Sequence, residues 1–151
     1  MVAIRAMSRG VPVSTAMMTQ FATLTPEAHV EEAVQTLLRT SQNEFPVVDG
    51  AGKPVGVLGR NDIIRALKER GPDARVAEAM TGNMPTVSHR SHLEDAFRIL
   101  QEKSAPAVAV VDPGGRLIGL VTSETVGEMM MLRDALPKGA RLGPWTRPTG
   151  A

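Results

Sequence analysis

The sequence contains no cysteine and no tyrosine, and only one tryptophan and three phenylalanines in 151 residues. Without cysteine there is no disulfide framework, no thiolate metal site and no cysteine nucleophile. So few rings argue against the aromatic platforms on which single-stranded nucleic acids stack. An excess of one charge is missing too, since 17 Lys+Arg against 16 Asp+Glu leave a formal +1. That balance argues against a basic nucleic-acid reader and a polybasic membrane-surface module. No run approaches the ~18 apolar residues of a membrane span, and no signal-peptide pattern opens the sequence. The expected location is therefore the reducing cytoplasm, or the cytoplasmic face of a membrane if the chain belongs to a longer membrane protein. Catalytic signatures are lacking as well. Gly-Lys-Ser/Thr does not occur, so there is no P-loop. Ser14, Ser41 and Ser104 have no paired His and Asp arrangement, so no triad is supported. The expectation is a protein that is not an enzyme.

What is present is a repeat. Laying Val13 on Val76 aligns 58 residue pairs without a gap, ending with Arg70 on Arg133, and fifteen pairs are identical. Unrelated segments would share roughly four. Val13-Ser14-Thr15-Ala16-Met17 meets Val76-Ala77-Glu78-Ala79-Met80, His29 meets His92, Val47-Val48-Asp49 meets Val110-Val111-Asp112, and Gly56 meets Gly119. The spacing of His89 and His92 is explained by surface positions at a helix start, since His92 has a repeat partner in His29 and no cysteine completes a metal set.

Each copy has the same local pattern. After Thr23-Leu24, apolar residues Val30, Ala33, Val34, Leu37 and Leu38 recur at helical spacing, as do Leu93, Ala96, Phe97 and Leu100. Ser91-x-x-Glu94 has the form of a capping box, and Ala28 stands at that place in the first copy. Two β-rich runs then flank an Asp-Gly turn, which predicts a hairpin: Phe45–Val48 and Val55–Leu58, or Val108–Val111 and Leu117–Val121. A second helix follows, with Ile63, Ile64, Ala66 and Leu67 in one copy and Val126, Met129 and Met130 in the other. The run Met129–Met131 cannot all point inward, so part of it is available for a dimer contact. The expected fold is α/β (α+β), two β-α-β-β-α repeats packed pseudo-symmetrically about a cleft, because neither copy could cover both faces of its small sheet alone. The expected divisions are a helical arm over 1–12, the copies over 13–72 and 73–136, and a flexible tail over 137–151 that holds Trp145.

These residues resemble the CBS domain family, named for cystathionine β-synthase and usually found as tandem pairs. The marks are Ala16-Met17-Met18-Thr19 and Ala79-Met80-Thr81 at the start of each copy, Phe45-Pro46-Val47-Val48-Asp49 in the first hairpin, and the span from Gly56 to Asp62. The resemblance implies a regulatory module that requires no cofactor. It also implies an adenosyl ligand (AMP, ADP, ATP or S-adenosylmethionine) in the cleft between copies, and a homodimer through repeat helices. By that resemblance the ligand-binding residues would be Thr23, Phe45, Pro46, Val47, Gly56, Arg60, Asp62, Thr86, Val108 and Thr122. Pro46 and Val47 would give the adenine a flat apolar contact, and Gly56 would let the backbone approach it. Asp62 would take the ribose hydroxyls, while Arg60 and a helix N-terminus would take phosphate.

The family pattern runs Gly, two apolar residues, Ser or Thr, two residues, then Asp or Asn. The first copy has Gly59 where the hydroxyl belongs and keeps Asp62. The second keeps Thr122 but has Thr125 where the acid belongs. At most one good nucleotide site, that of Asp62, is therefore expected. The competing reading of Asp62 is a carboxylate favoured by the helix dipole, and that of Thr122 a hydroxyl capping the following helix. A ligand-free structural or dimerisation module is the alternative function. A narrower resemblance rests on Gly10–Ser14 and Glu124–Arg133, which are similar to the cytoplasmic pair of site-2-type membrane zinc metalloproteases. It implies an attached membrane protease domain, whose His-Glu-x-x-His motif is absent here.

Overall fold

The computed structural model of the chain describes residues 10–135. The expected helix over Ala3–Arg9 and the tail with Trp145 lie outside the described residues. The first copy contributes helix α1 (Val13–Ala16), helix α2 (Val30–Arg39), strands β1 (Glu44–Val48) and β2 (Pro54–Gly59), and helix α3 (Arg60–Glu69). The second contributes α4 (Val76–Ala79), β3 (Thr81–Gly82), β4 (Thr86–Ser88), α5 (Leu93–Glu102), β5 (Ala107–Val111), β6 (Leu117–Thr122) and α6 (Ser123–Ala135). They form two three-stranded sheets, ordered β1-β2-β3 and β4-β5-β6. The fold is mixed α/β, as the repeat predicted.

The hairpins follow from turn chemistry. Asp49 Oδ1 accepts hydrogen bonds from the N–H groups of Ala51 and Lys53 at 2.9 and 3.0 Å. Asp112 Oδ1 does the same for Gly114 and Arg116, both at 2.9 Å. Such turns suit aspartate, and they are completed by Gly52 and Gly115, whose φ of 82° and 86° a side chain would strain. Both hairpins carry a register shift at the same place, Val47/Val48 and Val110/Val111.

The strand expected at Thr23-Leu24 is reduced to one bridge, Leu24 to Val47, whereas Thr86–Ser88 is a true parallel strand on β5. The reason is two prolines. His89 extends one end of the second strand by donating its N–H to the Val111 carbonyl at 2.9 Å, and the Ala109 N–H extends the other by donating to the Pro85 carbonyl at 2.9 Å. Their repeat partners are Pro26 and Pro46, which have no N–H to give.

Two helix details also differ from expectation. The cap of α5 is His92, whose N–H donates to Asp95 Oδ2 at 3.0 Å, so the Ser91/Glu94 box sits one residue too early. Likewise α2 is capped at His29, not Ala28. Leu38, expected on the inner face of α2, is 78 % exposed, while Val30 and Ala33 are fully buried. On α6 Met129 is buried and Met131 exposed; the side chains of Val126 and Met130 lie outside what is described.

The leading segment of each copy packs on the other copy. Val11 and Val13 are buried with Leu93, Phe97, Val108 and Val121 of the second copy. Val13 donates its N–H to the Ser91 carbonyl at 2.9 Å, and Met18 exchanges two backbone bonds with Leu120 of β6 at 2.8 and 3.0 Å. Conversely, Val76 is buried with Leu24, Phe45, Leu58 and Ile63, and β3 pairs with β2. A central cluster of Val57, Met84, Ala107, Ala109 and Leu120 seals the two sheets together. The hairpin tips touch as well, through Leu117 N–H on the Gly52 carbonyl at 2.9 Å.

Candidate functional site

Two cavities flank the contact between copies, and the repeat relates them. The first, about 600 Å³, is lined by Asn43 and Glu44 at the start of β1, by Gly59, Arg60, Asp62 and Arg65 at the turn into α3, and by Thr81 and Pro106 from the second copy. The second, about 540 Å³, is built around the start of α6. There Thr122, Glu124, Thr125 and Glu128 face Met18, Phe21 and residues 39–42. Each cavity thus joins the N-terminus of one copy's last helix to segments from the other copy.

Asp62 is tied down. Its Oδ2 accepts the Gly59 N–H at 2.9 Å, satisfying one of the orphan donors at the start of α3. Its Oδ1 meets Arg65 at 3.4 Å. Thr125 caps α6 the same way, accepting the Thr122 N–H at 3.2 Å, and Thr122 Oγ1 accepts the Glu124 N–H at 3.2 Å. The capping reading of Thr122 therefore holds, Asp62 is a cap as well as a first-turn carboxylate, and any ligand role would be additional. Arg60 is exposed and forms no salt bridge among the described residues, so its guanidinium is available to an anion.

Residues 44 and 59 are cross-strand partners, as are 107 and 122. In the second copy this pair is Ala107 and Thr122. In the first it is Glu44 and Gly59, so bulk has moved across the ladder. A β-carbon on Gly59 would stand 2.7 Å from Glu44 Oε1. Glu44 occupies the room left by the missing hydroxyl residue. Partial burial there, and then the neighbouring Asp62 and Glu124 carboxylates, push its pKa above the usual glutamate value.

The sequence reading is corrected at several residues. Arg60 and Asp62 come together in the first cavity, and Thr122 lies in the second. Phe45, Val47 and Val108 do not face a cleft; their side chains are fully buried in the two cores. Pro46 is buried too, and its carbonyl already accepts the Leu24 N–H at 3.0 Å. Gly56 is closed to any ligand. A β-carbon there would stand 2.7 Å from the Met80 sulfur and 2.8 Å from the Thr81 carbonyl oxygen, and Met17 covers Gly119 in the same fashion. Thr23 and Thr86 are exposed and line neither cavity. Glu44, Phe21 and Gln42 went unnoticed in the sequence. Only for Glu44 was there a signal, the paired exchange Glu44/Ala107 and Gly59/Thr122 in the self-alignment.

The CBS domain family matches residues 4–69 and 76–131. The chain belongs to the CBS domain family. Among solved structures, the CBS pair is similar to CBSX2 in complex with AMP, with 27 % identity and a TM-score of 0.70 over 83 % of this chain and 99 % of that one. It is also similar to the CBS domain pair of protein MJ0100 in complex with 5′-methylthioadenosine and S-adenosyl-L-methionine. There the identity is 27 % and the TM-score 0.71, over 80 % of this chain and 99 % of that one. Among curated proteins, it is 27 % identical over 118 residues to a homoserine O-acetyltransferase of Methanohalobium evestigatum, covering 78 % of this chain and 24 % of that protein. An L-aspartate semialdehyde sulfurtransferase of Methanocaldococcus jannaschii is 30 % identical over 100 residues, or 66 % and 19 %. The CBS pair thus spans a quarter or less of these two relatives. Such a pair is a regulatory module rather than the part that carries chemistry. Among the described residues, no helix is long and apolar enough to cross a membrane.

Proposed function

We propose that this CBS pair is a non-catalytic regulatory module that binds an adenosine-containing ligand between its copies, with the first cavity as a nucleotide site. The carrying observation is the joint presence of Arg60 and Asp62 in a cavity of about 600 Å³ closed by Thr81 and Pro106 of the other copy. Arg60 opens α3, where its guanidinium and the helix dipole favour phosphate, while its own N–H is already given to the Asn43 carbonyl at 2.9 Å. Asp62 keeps acceptor capacity for a ribose hydroxyl if Arg65 yields Oδ1, a long and exposed contact worth about 0–1 kcal/mol. Because both copies contribute walls, a bound ligand favours one mutual arrangement of the copies, limited by its differential affinity for the alternatives. The neighbours that hold AMP or S-adenosyl-L-methionine support the ligand class.

Dimerisation is part of the proposal. Ile64 and Leu67 on α3 and Met131 and Leu132 on α6 leave large apolar side chains exposed, as a helix-mediated homodimer would use. In a longer parent chain, such as one with a membrane metalloprotease domain, the dimer would report to that domain. A ligand-free structural module is the second reading, favoured by Glu44, which fills the hydroxyl position of the first motif.

Thermal denaturation with AMP, ADP, ATP and S-adenosylmethionine tests the choice. A ligand at 100 times its Kd adds about 2.7 kcal/mol to stability. Asp62→Ala should weaken AMP binding at least tenfold. Asp95→Ala removes the matching cap on α5, away from both cavities, and should leave binding intact. No stabilisation by any of the four sinks the sensor reading and leaves the structural one.

A further inference from the structure

The first cavity holds a carboxylate where the second copy has a hydroxyl. Glu44 and Gly59 pair across the ladder, and the matching pair in the second copy is Ala107 and Thr122. A β-carbon on Gly59 would stand 2.7 Å from Glu44 Oε1 and 3.4 Å from Asp62 Oδ2, so the two carboxylates converge over that glycine. Asp62 is stabilised there by the Gly59 N–H and by Arg65. Glu44 has no such support. It is half-buried, and among the described residues no hydrogen bond or ion pair reaches its carboxylate. Of the charged groups around it, Asp62 on α3 and Glu124 on α6 repel it. Arg60 and Arg65 on α3 share its cavity but form no ion pair with it, and the remaining walls are uncharged. Burial first, and then the two carboxylates, raise its pKa above the usual glutamate value.

A phosphate drawn to Arg60 would bring a further negative charge against Glu44. A proton on Glu44 removes that cost, and it also supplies what the site lacks. The protonated carboxyl carries an O–H donor, within reach of position 59, where the second copy has the Thr122 hydroxyl. We infer that Glu44 is the specificity-determining residue of the first cavity and makes phosphate binding there proton-coupled: protonated, it donates to the phosphate in place of the missing hydroxyl, and ionised, it repels it. This rests on the adenosyl-ligand reading above. By linkage, phosphate binding takes up a proton between the pKa of the free chain and that of the complex, so AMP affinity falls as pH rises through that window.

Isothermal titration of the full chain with AMP and adenosine, at about pH 5.5 and about pH 7.5 in buffers of differing ionisation heat, tests the coupling in wild type, Glu44→Gln and Glu44→Ala. The phosphate of AMP itself titrates near about pH 6, so the readout is the difference between wild type and Glu44→Gln. Glu44→Gln keeps an N–H donor and loses the charge. It should bind AMP about tenfold tighter than wild type at the higher pH, the scale on which one facing like charge discriminates, and take up less proton. Glu44→Ala loses charge and donor together and should fall between the two. Adding Asp62→Ala to Glu44→Gln should abolish the gain, which places it in the first cavity. Adenosine should bind wild type and both single variants alike. An AMP affinity for Glu44→Gln no higher than that of wild type, a Glu44→Ala as tight as Glu44→Gln, or an equal gain for adenosine overturns the inference while the adenosyl reading survives. Binding of neither probe to any of these chains at either pH removes that reading, and this inference with it.

Discussion

Gly56→Ala separates a structural glycine from a ligand-contacting one. Gly56 lies in β2 opposite Gly82 of β3, the short strand that docks the second copy's leading segment on the first copy. An added β-carbon would stand 2.7 Å from the Met80 sulfur and 2.8 Å from the Thr81 carbonyl oxygen, where ordinary contact begins at 3.4 Å. The sulfur can swing away, but the carbonyl belongs to the ladder, so β3 must retreat by about 0.6 Å to restore ordinary contact. Overpacking of this size costs about 1–3 kcal/mol. Replacing glycine by alanine offsets about 0.4–1 kcal/mol of that through the unfolded chain. The expected net loss is about 1–2 kcal/mol, read as a lower urea midpoint with unchanged slope. Adding Met80→Ala should not restore stability, because the carbonyl clash persists and a cavity opens. Gly119→Ala, facing Met17, should behave similarly. A Gly56→Ala protein within about 0.3 kcal/mol of wild type that had lost ligand binding would refute the reasoning.

Other expectations follow from single contacts. Glu44 has a raised folded-state pKa, so the folded chain holds that proton more tightly than the unfolded chain does. Its contribution to stability is therefore most favourable below the ordinary value of 4.5 and declines as pH rises through the folded value. Glu44→Gln should raise the melting temperature at pH 7 and flatten that part of the pH profile; a lower melting temperature at pH 7 would contradict the assignment. Asp49 has the opposite sign. The Lys53 and Ala51 N–H groups hold its pKa below 3.8, so Asp49→Asn should reduce the loss of stability seen as pH falls through that region in acid titrations followed by circular dichroism. Gln42 clips the linker to β1, accepting the Ala22 N–H at 2.8 Å and donating to the carbonyls of Ala22 and Glu44, both at 2.9 Å. Gln42→Ala should cost about 1–3 kcal/mol in chemical denaturation, since partly buried partners are left unpaired; a cost under about 0.5 kcal/mol would show that water replaces the clip.

Much of the fold could be read from residue order because its causes are local. Aspartate followed by glycine makes both hairpin turns, and the spacing of Leu93, Ala96, Phe97 and Leu100 makes a buried helix face in water whatever lies beyond. The same logic failed where particular residues overruled the pattern. Pro26 and Pro46 cannot supply the bonds that His89 and Ala109 supply, so the first strand shrinks to a bridge. Leu38 continues the apolar period of α2, but among the described residues its side chain stays exposed to solvent.

The site was less legible. Arg60, Asp62 and Thr122 stood out because a motif marked them, and the structure puts them on cavity walls. Phe45, Val47, Val108 and Gly56 stood out by the same resemblance and sit at packing positions. A strand's alternation tells which residues share a face, but not which face meets the core and which meets the cleft.

By itself, the sequence determined that the chain is two copies of one α/β unit, because fifteen identities in a gapless register are a property of the string. The scarcity of aromatics likewise argued against aromatic stacking platforms for bases. Only the tertiary structure decided that each copy carries the other's leading segment and that Glu44 fills the place of a missing hydroxyl. Those outcomes depend on contacts between residues far apart in the chain, where packing and Coulomb energies act through space and local order carries no record of them.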